Sequence, residues 1–184
     1  MSGSARSLLT DTIMDESEPT VEISFGNGTL LSLIVEKGFG EADSLGDECV
    51  DLHNRGRIDV LSVIEGPKFE AVSGHDFFAA QNFFRHAMPR LTGVSVERML
   101  RCTEALVRKG YGDMMAYRPN EALLEWLKAE GTRSSEVVTK ARRGDALALD
   151  HLTFAVQATA DLNLMRELVA DANPRVRQSA LTAI

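Results

Sequence analysis

Cysteine is scarce in this 184-residue chain, with Cys49 and Cys102 alone. Two thiols cannot build a disulfide framework, so the small disulfide-stapled class is excluded. Proline numbers 5 and glycine 14, which excludes collagen-like and low-complexity compositions. Aromatic residues are only 6%, with one tryptophan. No apolar run approaches the ~20 residues that a bilayer-spanning helix needs, so no membrane partner is expected. What is present is ordinary for a globular domain: 44% hydrophobic and 26% charged residues. A chain of this length buries about two thirds of its unfolded surface, so its core needs no metal or disulfide staple. The expectation is a soluble, acidic, cytoplasmic protein.

The net charge of -7 is unevenly spread. Residues 1–70 hold 14 acids against 5 bases, whereas residues 71–184 hold 13 acids against 15 bases. Blocks of charge are usually solvated faces. Residues 1–20 carry Arg6, Leu8 and Leu9, then Asp11, Asp15, Glu16 and Glu18. The apolar core is too short for a secretory signal, and the acids are wrong for a mitochondrial one. This stretch reads as a flexible acidic leader.

Residues 21–25 alternate apolar and polar, which suits a short strand, and Gly26-Asn27-Gly28 is a turn signal. Leu30, Leu31, Leu33, Ile34 and Val35 fit either the second strand of a hairpin or a short helix. Thr29 would cap that helix and Gly38 would stop it. The helical character of everything downstream favours the helix. Residues 43–53 read as a helix, and Ile58, Leu61 and Ile64 suggest another, although Val60 and Val63 also fit a buried strand. Residues 21–70 are therefore expected to be a small irregular or mixed segment packed on a helical body.

From residue 73 the helical signal strengthens. Ser73 and Asp76 resemble an acidic variant of the capping box. Phe77, Phe78, Phe83, Phe84 and Met88, with alanines between them, cover more than one side of a helix, which predicts burial. Ser95 is placed to cap a helix carrying Val96, Met99, Leu100, Thr103, Leu106 and Val107. Pro119 opens a helix that Gly131 is expected to end. Ser134 or Ser135 would start a short helix, and Asp145 would cap a longer one. Residues 162–169 form the next. Short connections place successive helices antiparallel and in contact. The expected fold class is all-α, an antiparallel helical array over residues 71–184.

The last helix boundary carries the most specific motif. Leu164, Leu168 and Val169 lead into Asp171-Ala172-Asn173-Pro174-Arg175-Val176-Arg177, followed by Ala180, Leu181 and Ile184. Asp171 or Asn173 can cap the free N–H groups of the second helix. Pro174 sits where a missing N–H costs nothing. Val176, Ala180 and Ile184 share one face. Over about residues 162–184 the chain resembles a HEAT repeat, so an α-solenoid-like array is implied, HEAT-like at its C-terminus. The resemblance implies that Asp171 and Arg177 fill the ladder positions that link adjacent repeats. A copy displaced 41 residues upstream is weak, because Pro174 then falls on Arg133 and Val176 on Ser135. The apolar ending Leu-Thr-Ala-Ile in mid-helix reads as an array cut within a longer protein or covered by a partner. It predicts that the isolated chain dimerises or aggregates.

Catalytic chemistry finds no foothold. His75 and His86 are about three helical turns, or ~16 Å, apart, too far to share a metal. No His-Glu-x-x-His, Cys-x-x-Cys, phosphate-cradling loop or Gly-x-Ser-x-Gly sequence occurs. Cys49 and Cys102 sit on apolar helical faces. No catalytic residue, cofactor or metal is expected. Arg133, Lys140, Arg142, Arg143, Arg175 and Arg177 are candidate phosphate- or partner-binding residues, since stacked helices would bring them into one basic stripe. Some HEAT-like proteins grip DNA phosphates in this way. The expected role is nonetheless a protein–protein interaction or scaffold module, the N-terminal part of a larger protein. Its partner is another protein or the chain continuing past Ile184. A nucleic-acid-binding module is the alternative.

Overall fold

Short amphipathic segments punctuated by cap residues give short helices, and the structure is all-α. The computed structural model describes residues 29–38, 40–110 and 118–183. Among these are eleven α-helices and one 3-10 turn, with no strand. The helices are α1 (Thr29–Lys37), α2 (Ala42–Asn54), α3 (Ser62–Glu65), α4 (Pro67–Ala71), α5 (Gly74–Ala87), α6 (Val96–Lys109), α7 (Arg118–Ala129), α8 (Gly131–Arg142), α9 (Ala146–Thr159), α10 (Leu162–Val169) and α11 (Pro174–Thr182). The 3-10 turn is Met88–Arg90. None of the helices is long and apolar enough to cross a membrane.

Where it is described, the segment expected to be irregular or mixed before residue 70 forms short helices joined by turns and an irregular stretch over 55–61, with no strand, and residues 29–37 adopt the helix rather than the hairpin strand. The leader 1–20, residues 21–28 and Ile184 lie outside the described residues. The chain divides into two compact units, residues 29–87 with 91–93, and residues 88–90 with 94–110 and 118–183. Residue 70 falls inside the first unit, because α5 packs there on α1 and α2.

In the first unit α5 is central. Its Phe77, Ala79, Ala80, Phe83, Phe84 and Ala87 are all buried, so apolar contact surrounds much of the helix. Phe84 meets Phe69 edge-on at 6.1 Å and Phe83 at 5.2 Å, and Phe69 meets Phe77 at 6.2 Å, geometries that aromatic quadrupoles favour. Gly38 marks the closest approach. A Cβ there would lie 2.5 Å from the carbonyl oxygen of Ile34 and 2.6 Å from that of Ala79, so only glycine fits between the end of α1 and α5.

The helix expected over residues 58–64 shrinks to α3. Ile58, Val60, Leu61, Val63 and Ile64 are all buried, which no single helical stripe explains. Side chains also compete for the backbone. His53 Nδ1 accepts from the Val60 N–H at 3.3 Å, Asp59 Oδ1 accepts from Leu61 N–H at 3.2 Å, and Ser62 Oγ donates to the Asp59 carbonyl at 2.7 Å.

In the second unit α9 is central and packs on α6, α7, α8 and α11. Its Ala148, Leu149, Leu152, Ala155 and Val156 are buried. The caps expected at Ser95 and Asp145 form: Ser95 Oγ accepts from Arg98 N–H at 3.3 Å and Asp145 Oδ1 from Ala148 N–H at 2.8 Å. Asp161 caps α10 and Asn173 caps α11, where Pro174 takes the first position. Gly131 begins α8 instead of ending α7; the extended backbone of Glu130 alone makes the break. Arg175 pairs with Asp150, and Thr153 Oγ1 donates to the Ser179 carbonyl at 3.4 Å. Both positions advance together, so α9 and α11 run parallel.

Candidate functional site

The six candidate cations do not form an open stripe. Arg133 lies flat against Trp126, 4.0 Å from the ring centre, where the π-face attracts its charge. Its Nη1 donates to the Trp126 carbonyl at 2.7 Å and its Nη2 meets Glu130 at 3.1 Å. That carbonyl belongs to the last turn of α7, which has no helical donor of its own, so Arg133 caps α7. Lys140 lies between Glu136 at 3.1 Å and Glu97 at 3.9 Å. Arg142 faces Glu167 and Asp171, each at 3.3 Å. Arg175 pairs with Asp150. Arg177 Nη1 donates to the carbonyls of Asp171 and Ala172 at 2.8 and 2.9 Å. Among the described residues Arg143 is the one of the six whose side chain makes neither a hydrogen bond nor an ion pair.

The two ladder candidates meet through the backbone and not through their charges. The Asp171 carboxylate accepts from Asn173 N–H at 2.8 Å, which shapes the turn before α11. Its other oxygen faces Arg142 Nε. Asp171 thus ties the turn of the last hairpin to the end of α8, while Arg177 locks that turn from the other side. The Asp171–Arg142 contact depends on stacking of helix pairs, so spacing within residues 162–184 could not reveal it, whereas the Arg177 bonds are local to the turn.

A polar cleft of about 390 Å3 in the first unit was not anticipated. Gly38 at the end of α1, Ala42 and Asp43 at the start of α2, and Asn82, Arg85 and His86 on α5 line it. The His86 ring is held at both nitrogens, with Nδ1 3.2 Å from Asp43 and Nε2 3.3 Å from Asp47. Asp43 and Asp47 are one helical turn apart and so share a face of α2. The one signal in the sequence is that i, i+4 acidic pair; its histidine comes from 39 residues further on. The cleft fixes an imidazole between two carboxylates and presents polar groups to solvent.

Both thiols are buried and neither is in a disulfide. Burial, aided by the Glu48 carboxylate, pushes the Cys49 thiol up to about 12, so it stays protonated and a poor nucleophile at neutral pH. Among the described residues no group of three or more His, Cys, Asp or Glu side chains is arranged to hold a metal. His151 sits in α9, 6% exposed, with neither ring nitrogen hydrogen-bonded. Burial lowers its pKa from the ordinary 6.5, against the opposing pull of Glu104 and Asp150. Comparison of the chain with protein-family models, curated proteins and solved structures finds no match.

Proposed function

We propose that this chain is a cytoplasmic protein–protein interaction or scaffold module, α-solenoid-like in its second unit and HEAT-like in its last hairpin. The observation that carries the reading is the parallel pairing of α9 with α11. In a stacked array of helix pairs, the second helices of successive pairs lie side by side and parallel. Here α8 with α9 and α10 with α11 are two such pairs, pinned by Asp150–Arg175 and Thr153–Ser179 along one side. Arg142 with Glu167 and Asp171 pins the other. We take the outer face of the α10–α11 pair as the face offered to a partner. Leu162 and Leu181, on that last pair, are 67% and 59% exposed.

The test is affinity capture with cross-linking, comparing the wild-type chain with Leu162→Glu/Leu181→Glu. The wild type is expected to hold a defined protein that the folded variant loses. Equal capture by both would overturn the assignment of the face. The nucleic-acid alternative draws little support from the geometry, since five of its six cations already face acidic side chains or backbone carbonyls. It predicts retention on heparin at low salt; the interaction-module reading predicts elution in the flow-through.

A further inference from the structure

The turn that ends α2 closes on one imidazole. Gly56 leaves the helix in the left-handed region, at φ +69°, and its N–H donates to the His53 carbonyl at 2.8 Å. Arg57 N–H reaches back to the Leu52 carbonyl at 2.9 Å. The chain then returns, so that Val60 N–H donates to Nδ1 of the same His53 at 3.3 Å. The His53 side chain is 9% exposed and Val60 is fully buried. A backbone N–H at such a site needs its acceptor, because losing it leaves a buried donor unsatisfied.

Nδ1 accepts only while it carries no proton. The Val60 donor therefore selects a neutral ring with its proton on Nε2. The same Nδ1 lies 3.8 Å from Asp59 Oδ1. A carboxylate asks for the opposite state, an Nδ1 that carries a proton and donates it. One atom thus faces two partners that it can serve only in different protonation states. Asp59 also holds the start of α3: its Oδ1 accepts from Leu61 N–H at 3.2 Å, and its carbonyl accepts from Ser62 Oγ at 2.7 Å.

Neighbouring charges are directed elsewhere. On α2 itself Asp51 meets Arg55 at 2.9 Å. Lys37 of α1 meets Glu41 at 3.5 Å, and His86 of α5 lies between Asp43 and Asp47 towards the start of α2. Arg57, in the turn, is exposed. The stretch 91–93, tied to α2 by Thr92 N–H donating to Asn54 Oδ1 at 2.8 Å, carries no charged residue.

We propose that His53 is a proton-operated latch on residues 55–61. With a neutral ring, Nδ1 holds Val60 N–H and the turn is closed. With a protonated ring, Nδ1–H turns to the Asp59 carboxylate, Val60 N–H loses its acceptor, and the turn into α3 rearranges. The closed form needs the ring without its second proton, so acid opens the latch and base closes it. Histidine suits the task because its charge changes near neutral pH. The latch is independent of the interaction-module reading and stands or falls by itself.

The experiment is nuclear magnetic resonance of the labelled full chain, titrated from about pH 8 to about pH 5, the range in which histidines change charge. At the upper end the His53 ring is expected to show an unprotonated Nδ1 and a protonated Nε2. On acidification Nδ1 should gain a proton, and the Val60 and Leu61 amide signals should move with it. Val60 hydrogen exchange, corrected for its intrinsic pH dependence, should quicken over the same range. His53→Asn places a non-titrating oxygen about where Nδ1 stands, so its Val60 amide should no longer follow the pH. Asp59→Asn keeps an acceptor for Leu61 N–H but lacks the charge, and should move the Val60 transition to lower pH. A ring protonated at Nδ1 at the upper end overturns the latch. So does a ring that titrates while the Val60 amide stays still, or one that stays neutral until the chain unfolds. A Val60 transition that persists in His53→Asn, or that Asp59→Asn leaves in place, overturns it as well.

Discussion

In the unit around α5, the N-caps Glu41, Leu61 and Gly66 make no side-chain cap bond. In the unit around α9, four helices begin on one, at Ser95, Asp145, Asp161 and Asn173. The first unit compensates with bulk: Phe69, Phe83 and Phe84 are almost wholly buried and meet edge-on. Among its described residues the second buries one large aromatic, Trp126, among aliphatic side chains and tolerates buried Thr103, Ser134 and His151. Helices of this length are marginal alone, so each unit needs more than propensity. One supplies it mainly through contacts between distant residues, the other partly through contacts within a turn.

The largest effects should come from the cores. Phe84→Ala removes a ring that touches two others and is expected to cost about 3–5 kcal/mol in chemical denaturation. Leu106→Ala, at a fully buried site in the second unit, should cost about 2–5 kcal/mol. If Phe84→Ala falls within about 0.5 kcal/mol of wild type, the aromatic cluster does not hold the first unit and the contrast collapses.

That contrast also governs how much could be read in advance. The caps at Ser95 and Asp145 were legible, and that of α11 down to Asp171 or Asn173, because a cap is a residue type beside an amphipathic run. The break between α7 and α8 was misplaced because Glu130, not Gly131, makes it, with Arg133 closing the turn from behind. Residues 58–64 resisted period-based reading because both of their faces are buried. The His86 cleft was invisible, since its histidine and its two aspartates meet only when α5 packs on α2. The basic stripe was the reverse case: the residues exist, but acids from other helices reach Lys140, Arg142 and Arg175, and Arg133 and Arg177 turn to backbone carbonyls.

Next in size is Gly38→Ala. The added methyl group would press on two backbone carbonyls that cannot swing aside. A loss of about 1–3 kcal/mol is expected, measured by urea unfolding. Gly40→Ala is the control, because a Cβ there meets nothing within 4 Å. Equal effects at the two positions would remove the claim that α1 and α5 are held by backbone contact. Smaller again is the cap comparison. Asp145→Ala should cost about 1 kcal/mol. Glu41→Ala, at an N-cap with no side-chain bond, should stay within about 0.5 kcal/mol. A Glu41 effect as large as that of Asp145 would erase the difference in capping between the units.

The smallest effect is a slope with pH. His151 is buried in α9 beside Phe154, its ring centres 6.4 Å apart, and its nitrogens lack hydrogen-bond partners. Burial disfavours the charged imidazolium, and the carboxylates of Glu104 and Asp150 offset this only in part, so the folded pKa lies below the ordinary 6.5. Between that lowered value and about 6.5 the unfolded chain binds more protons than the folded one. Folding stability is then complete above about pH 6.5 and declines as the pH drops towards the folded pKa. Other groups titrate in the same range, so the informative quantity is the difference between wild type and His151→Leu. The leucine should flatten the decline between roughly pH 7.5 and 5.5 while leaving stability at the upper end similar or higher, because two unsatisfied ring nitrogens leave the core. Parallel pH profiles would mean that the imidazole finds a partner in solution, and with it the second unit's core would be better satisfied than its hydrogen bonds indicate.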